Sequence, residues 1–501
     1  MRVYDDSSAG FTIVRGLAER LAAAAPYLLG DLPSDARTDD PSVRASALLG
    51  ALIEAARPSG ANPERWLLFV AVFGRYPGSS EFLRFARSLE SDRPEVATQW
   101  LLAHALQGHG PYFDQGMRVV SDRPVAELSS SASADYVTGI QRVVRETLRR
   151  WSESHRFTPA MWHETDWGLR SLSVTEMRRL QLHGPQAQEP PIDSLIVPFR
   201  TDVLFLDAPD GRKADAWACM ARFSGNRVSH VGYDLIPISS ADLRSHGEAG
   251  NSAAYLSVIK HSHKVACISD TTRREFAGVA RAFPAQGLKG PLVGSVPLPE
   301  VGAVDASAIT KRVRTDGEPV VILCPGTREL HKNHETILWA AERLWREGLD
   351  FELHFMGRMG IDFASFKDVE SKLIAKGRPI IDLGLVTDET LWKELKSADA
   401  VVFISLQEGF GLPVVEALSV GTPVLTTEYG SQGEIGRLGG CLLVDPRDDV
   451  AVTDALRRLV GEPALREELR AQIAERPRRR WDDYATDLWD FFIESETAVA
   501  S

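Results

Sequence analysis

From about residue 124 to residue 444, short runs of β-branched and aliphatic residues alternate with amphipathic helical segments, and the alternation occurs in two successive series. Buried parallel strands read as near-continuous apolar runs, and a strand that returns parallel to its predecessor needs a crossover helix. Such a rhythm predicts doubly wound α/β sheets covered on both faces. The first series offers strands over 125–128, 194–197, 203–206, 228–233 and 265–268, with helices over 139–151, 253–261 and 271–282. The second offers strands over 319–324, 352–356, 380–383, 400–404, 423–427 and 441–444. The Gly, Pro and small residues of 287–316 read as the seam between them. Ligands of open parallel sheets sit outside the carboxyl ends of the strands, so two facing lobes define a cleft.

Ahead of these lobes, residues 1–120 carry helical periods over 47–56, 65–73, 81–89 and 97–107, punctuated by Pro58, Gly60, Pro63, Pro77 and Gly78. They read as a helical unit of their own, without a fixed repeat. At the other end, Trp481, Tyr484, Ala485, Leu488, Trp489 and Phe492 fall on one face of a helix that must pack against something. Arg476, Arg478, Arg479 and Arg480 read as a solvated cluster flanking it. The expected division is therefore 1–120, 121–305, 306–475 and a terminal helix within 476–501.

Composition narrows the functions. A net charge of -12 argues against following a phosphate backbone or adhering to an anionic bilayer, both of which need a basic surface. The longest apolar run of the N-terminal third, 66–73, is far shorter than the roughly 20 residues of a spanning helix. No basic, apolar and small-residue series opens the chain, so the expected location is the cytoplasm. Cys219, Cys267, Cys324 and Cys441 lie far apart without CxxC spacing and are expected to be reduced core thiols, with no zinc or other metal site. His261 and His263 have no third ligand in view.

The richest segment is VVFISLQEGFGLPVVEALSVGTPV, 401–424. A buried strand leads into a turn with Gly409 and Gly411, and a helix opens near Leu412 with Pro413 in its first turn. The amides of Gly409, Phe410, Gly411 and Leu412, with the positive end of the helix dipole, form a site suited to a diphosphate, which glycine lets approach closely. Glu408 and Glu416 flank it. Carboxylates beside a diphosphate are tolerated where they accept hydrogen bonds from neutral hydroxyls, such as those of a ribose and a sugar. On their own, Glu416 complementing the first helical turn and Glu408 as a surface residue are the better explanation of the pair. A second segment, CPGTRELHKNHETILWAAERLW (324–345), is again strand, glycine turn and amphipathic helix, and it sets Arg328 and Lys332 where cations can neutralise a departing diphosphate.

EGFGLPVVEALSVGTPV resembles the signature of glycosyltransferase family 4, two glutamates with seven residues between them around a Gly-Phe-Gly turn. The resemblance runs through 320–446 and includes the family's Gly-x-x-x-x-x-Lys-Asn element, matched by Gly326, Lys332 and Asn333, although Thr327 stands where many relatives carry Arg. It implies a GT-B fold, Glu408 near the donor sugar, Glu416 on the ribose, and Gly326, Thr327 and Asn333 in the donor turn. Arg328 becomes the nearest candidate for the second cation and His331 a weaker one. VTGIQRVVRETLRRW (137–151) and YDLIPI (233–238) resemble a branch of the family that builds bacterial polysaccharides, which puts Thr138, Gly139, Tyr233 and Asp234 in the cleft on the acceptor side. Tyr233 stands where many relatives have a His that helps hold the donor sugar. Asp388 and Glu389 read as helix-capping.

The implied activity is retaining transfer of a hexose from a nucleoside-diphosphate sugar, GDP-mannose or similar, to a glycan or lipid-linked glycan, without metal or cofactor. The first lobe, 121–305, would face the acceptor and the second, 306–475, would hold the donor. Two alternatives share the sequence features: a GT-B nucleotide-sugar epimerase, and a non-catalytic scaffold that binds a nucleotide sugar. Partner binding, acceptor binding and dimerisation are equally open roles for 1–120.

Overall fold

Two parallel-rich sheets stand one after the other, as the alternation predicts. The structure is a computed structural model that describes residues 6–57, 60–107, 115–134, 138–163, 168–182, 194–207, 210–244, 247–300, 317–360 and 364–494. The first lobe holds β1 (Met117–Val120), β2 (Val125–Glu127), β3 (Thr158–Trp162), β4 (Leu169–Ser171), β5 (Leu195–Pro198), β6 (Asp202–Phe205), β7 (Arg227–Gly232), β8 (Lys264–Cys267) and β9 (Leu292–Ser295). They align in the order β1-β5-β4-β3-β2-β6-β7-β8-β9, parallel throughout except for β4, which runs antiparallel to both neighbours.

The second lobe holds β10 (Val320–Pro325), β11 (Phe351–Met356), β12 (Ile380–Gly384), β13 (Ala400–Phe403), β14 (Val424–Thr427) and β15 (Cys441–Val444). Their order is β12-β11-β10-β13-β14-β15, all parallel, which is the 3-2-1-4-5-6 order of a dinucleotide-binding sheet. Its strand order reverses between β10 and β13, so the turns leaving these two strands part and open a crevice between them. Those turns carry the two motifs.

Period-2 alternation divides each buried strand between two cores. In β10, Val321 and Leu323 pack toward the interior shared by the lobes, while Ile322 and Cys324 pack beneath the helices on the far face. The four cysteines are free thiols, three of them buried.

The N-terminal region forms five helices, Asp6–Leu28, Pro41–Ala56, Pro63–Phe73, Ser79–Ser91 and Pro94–Gln107. Asp40 and Asn62 cap two of them, Asp40 accepting from the Ser42 and Val43 amides at 2.8 and 3.2 Å, and proline occupies the first helical position after each cap. Such a cap contributes about 1 kcal/mol. Their apolar faces do not close on themselves: Trp66, Phe82 and Leu101 share one buried core with Trp162, Phe199 and Trp217 of the first lobe. Tyr76 lies against Trp162 at 5.5 Å between ring centroids and donates to the Ile196 carbonyl at 2.5 Å. The helical region is thus the layer that covers one face of the first sheet, and β1, inside the expected 1–120 unit, is a strand of that sheet.

The terminal helix Trp481–Trp489 and its continuation Asp490–Glu494 return to the first lobe. Trp151 donates its indole N–H to the Ala485 carbonyl at 2.8 Å, and buried Lys264 donates to the Phe491 and Phe492 carbonyls at 2.7 and 3.2 Å. In the arginine cluster ahead of it, Arg478 and Arg480 are exposed as expected, but Arg476 and Arg479 depart from the solvated expectation. Arg476 is buried, donating to the Ile435 and Gly439 carbonyls at 2.9 and 2.7 Å and pairing with Glu300, while Arg479 donates to the Pro297 carbonyl at 3.0 Å. Guanidinium groups stitch this second crossing between the lobes because loop carbonyls there need donors. No helix among the described residues is long and apolar enough to cross a membrane.

Candidate active site

β10 is followed by Gly326, whose φ of 119° only glycine adopts readily, and the backbone then turns through Leu330–Lys332 to Asn333, left-handed at φ 57°, before the helix His334–Arg346. Leu406 donates its amide to the His331 carbonyl at 2.7 Å, which fixes this turn to the one that follows β13. The two motifs, 76 residues apart, meet through their side chains: Lys332 Nζ lies 2.5 Å from Glu408 Oε1. Both are largely enclosed, at 17% and 12% side-chain exposure, and the Lys332 ammonium stands 5.4 Å from the centre of the Phe403 ring.

After Glu408 the chain passes Gly409, Phe410 and Gly411, at φ 116°, into the helix Leu412–Ser419. The Val414 amide turns back to the Gly411 carbonyl at 3.0 Å and Pro413 has no N–H. The amides of Gly409 to Leu412 make no hydrogen bond among the described residues, so they are the free donors of this turn. Phe410 is buried and anchors it, and Ser431 donates to the Glu408 carbonyl at 2.8 Å. Glu416 is buried one turn into the helix, and burial raises its carboxyl above the usual range against the opposing pull of Arg142.

Not every expected residue gathers here. Arg328 is 1% exposed and is turned under the sheet end, donating to the Gly357 carbonyl and pairing with Asp382, with its guanidinium over Phe355. Its charge serves the turn after β11 and Asp382 within β12 rather than the Lys332–Glu408 pair. Asn333 donates to the Pro446 carbonyl at 2.9 Å and accepts from Thr336 at 2.8 Å, so it ties the turn down. His331 is buried, and desolvation with Lys332 and Arg244 nearby pushes it down to about 2, which leaves a neutral imidazole. Thr327 lies half-buried in the turn behind Gly326.

The first lobe closes over the crevice. Gly139, at the start of the helix Gly139–Ser154, stands against Leu412, and Thr138 precedes it with its amide on the Gln141 side chain at 2.9 Å. The backbone of Gly409 lies directly on the carbonyl of Tyr233, and Ser269 donates to the Gly409 carbonyl at 2.7 Å. The Tyr233 hydroxyl does not face the cleft; it donates to the Leu206 carbonyl at 2.6 Å inside the lobe, and burial holds it well above its usual 10. Asp234 does feel the site. Burial and the Glu408 charge raise its carboxyl, against Lys332, Arg244 and its bond from the Ile236 amide. Gln407 bridges the lobes, donating to Glu275 at 2.7 Å and accepting from Ser240 at 2.5 Å.

A cleft of about 520 Å³ runs between the lobes, with Asp242 and Glu275 on one side and Glu408, Tyr429 and Arg447 on the other. A second cavity of about 280 Å³ lies beneath the first lobe's edge, lined by Ile140, Asp234, Arg244, Glu248 and Tyr255. Arginines of the first lobe that no motif signalled also reach the second. Arg244 pairs with Glu329 at 2.5 Å, and Arg142 pairs with Glu416 and, at 3.1 Å, with Asp388. Arg142 stood within the segment 137–151, one turn from Gly139, and its helical phase alone did not reveal its partner.

Two sheets of this order facing a cleft, with the chain crossing back at its C-terminal helix, define a GT-B fold. Solved structures bear this out: sucrose-phosphate synthase from Thermosynechococcus elongatus superposes with a TM-score of 0.53 at 15% identity, over 74% of this chain and 98% of that one. Anabaena HepE, in complex with UDP and glucose, gives 0.51 at 11% identity over 74% and 100%. Residues 305–480, the part of the chain that carries Lys332, Glu408 and Glu416, match the family Glycosyl transferases group 1. The serotype-specific mannosyltransferase WbdA of Escherichia coli is 26% identical over 339 residues, 62% of this chain and 38% of its own length. The MMP alpha-(1->4)-mannosyltransferase of Mycolicibacterium hassiacum is 33% identical over 171 residues, 30% of this chain and 40% of its own. The chain thus spans about two fifths of the length of these relatives.

Proposed function

We propose that this protein is a retaining glycosyltransferase that moves a hexose from a nucleoside-diphosphate sugar, GDP-mannose or a related donor, to a hydroxyl of a glycan or lipid-linked glycan in cell-surface polysaccharide synthesis. The observation that carries the reading is the Lys332–Glu408 pair at the start of the Gly409 turn and its free amides, with Glu416 one turn into the helix that follows, at the reversal point of the second sheet. The mannosyltransferases among the relatives favour mannose.

In this reading the bond between the anomeric carbon and the diphosphate breaks. Lys332 and the amides of Gly409 to Leu412 stabilise the charge that gathers on the leaving diphosphate. The acceptor oxygen forms the new bond on the same face, and its proton passes to the departing phosphate. Glu408 accepts from sugar hydroxyls and Glu416 from the ribose. The interlobe cleft excludes water, which limits hydrolysis. No metal or cofactor has a part, and a cytoplasmic protein would have nucleotide sugars at hand.

The test is a thermal-shift screen of GDP, UDP, dTDP and ADP on wild type and Glu416→Ala, since a ligand that binds the native state raises its stability by mass action. One nucleotide stabilising only wild type is expected, followed by acceptor-dependent release of that nucleotide and a product of unchanged anomeric configuration. Interconversion of free nucleotide sugars without acceptor would instead make the protein an epimerase.

A further inference from the structure

We propose that Arg142 is a latch that fills the ribose site of the empty protein and must be displaced by the donor. The inference rests on the reading of Glu416 as the ribose carboxylate. Arg142 sits one turn inside the helix Gly139–Ser154, whose first residue abuts Leu412, the first residue of the helix that carries Glu416. Across that junction the Arg142 Nη1 pairs with Glu416 Oε1, and Nη2 lies 3.1 Å from Asp388. The pair is nearly closed to solvent, at 13% and 10% side-chain exposure.

A buried carboxylate left without donors is strongly disfavoured, and Arg142 supplies them when no ligand does. Two vicinal ribose hydroxyls ask for the same carboxylate oxygens, so the guanidinium and the ribose compete. Arg142 has somewhere to go. Asp388 is 67% exposed and already holds its other nitrogen, and the face of Trp392 lies 5.9 Å from its guanidinium carbon. Displacement therefore exchanges one bond of Glu416 for another without stranding the arginine. Other lobe-to-lobe bonds, among them Arg244 to Glu329 at 2.5 Å, Ser269 to the Gly409 carbonyl at 2.7 Å, Gln407 to Glu275 at 2.7 Å and Arg274 to Glu434 at 3.1 Å, do not involve Glu416. The latch thus lowers the apparent affinity for the nucleotide by the fraction of molecules in which it is shut.

The experiment is calorimetric titration of the full chain with GDP, UDP, dTDP and ADP, using wild type, Arg142→Ala, Arg142→Lys and Glu416→Ala, and the Arg142→Ala/Glu416→Ala double variant. The nucleotide that binds wild type should bind Arg142→Ala about 10-fold more tightly, equivalent to about 1.4 kcal/mol. Arg142→Lys, which keeps the charge and loses the fork, should fall between them. The 2′,3′-dideoxy form of that nucleotide should show no gain, and neither should the double variant over Glu416→Ala. A loosened fold does not bind more tightly, so damage cannot mimic the gain. Equal or weaker binding by Arg142→Ala, with Glu416→Ala still impaired, overturns the latch and leaves the donor site standing. Failure of every nucleotide on every variant overturns both.

Discussion

Replacing Gly409 by Ala separates closure of the lobes from binding of the donor. A Cβ built on Gly409 would lie 2.2 Å from the Tyr233 carbonyl oxygen, 3.1 Å from its carbonyl carbon and 3.2 Å from the Asp234 Cβ. Ordinary contact between such atoms begins above about 3 Å, so one wall must retreat by about 1 Å. The nearest obstacle is backbone, which cannot swing aside. Gly409 is not among the residues with positive φ, so alanine suits its own backbone and the second lobe keeps its shape. The displacement therefore falls on the approach of the first lobe, and it also stretches the Ser269 bond to the Gly409 carbonyl. A misplacement of about 1 Å between reacting groups costs about 10²-fold in rate. Gly409→Ala should lower kcat by about that factor at saturating donor. Nucleotide binding should be no weaker, because the proposed donor contacts lie in the second lobe and opening also draws Arg142 off Glu416. Steady-state kinetics with calorimetric titration reads both, and small-angle scattering should report a larger radius of gyration. Wild-type kcat in this variant would refute the reasoning, since the contact between Gly409 and Tyr233 would then not belong to the working state.

Removal of Lys332 tests the charge on the leaving group: Lys332→Ala should lower kcat by about 10² to 10³, with a smaller change in nucleotide affinity, and retained turnover would exclude its proposed role. In the first lobe, burial and the neighbouring Asp207 push Glu127 from the ordinary 4.5 up to about 7. Folding then favours its protonated form, so its stabilising contribution is complete below about pH 4.5 and fades as pH rises through 7. Glu127→Gln, which still accepts from the Ser129 amide, should match wild type near pH 5 and exceed its melting temperature near pH 8; a difference independent of pH would contradict this. Deleting residues 1–114 would uncover Trp162, Phe199 and Trp217, and gel filtration should show aggregates, whereas a soluble monomer would make the helical region a separate unit.

The second lobe was legible because its strands are buried on both faces and read as unbroken apolar runs, and the bounds 319–324 and 441–444 differ from those of the observed strands by one residue or none. The first lobe was read less fully. β3 contains Pro159, β4 is three residues long and antiparallel, and β9 lies in the Gly- and Pro-rich seam, so each lacked the pattern by which strands are recognised. The region from 301 to 316, read as seam, falls outside the described residues. Lys332 and Glu408 meet across the crevice, and Glu416 lies one helical turn further, because a turn and a helix fix their places locally. Arg328 was misplaced because spacing gives a turn's position but not the direction its side chains leave it. Arg142 and Glu416 are 274 residues apart, and nothing in either local sequence encodes their meeting.

The return of the last helix to the first lobe bears on how the chain is made. Strands β1 to β9 are complete once residue 295 has emerged, yet Lys264, buried in that sheet, takes its acceptors from Phe491 and Phe492. Trp151 likewise waits for Ala485. During synthesis at roughly 5 to 20 residues per second, the second lobe is translated while the first still lacks part of its core. Chains stalled on the ribosome near residue 475 should therefore be cleaved by protease in the first lobe as well as at the stall, and protection should arrive only when 481–492 emerge. The half of the molecule that is translated first is thus the half that sets last, and a lesion at the C-terminal helix acts as a folding defect nearly two hundred residues upstream.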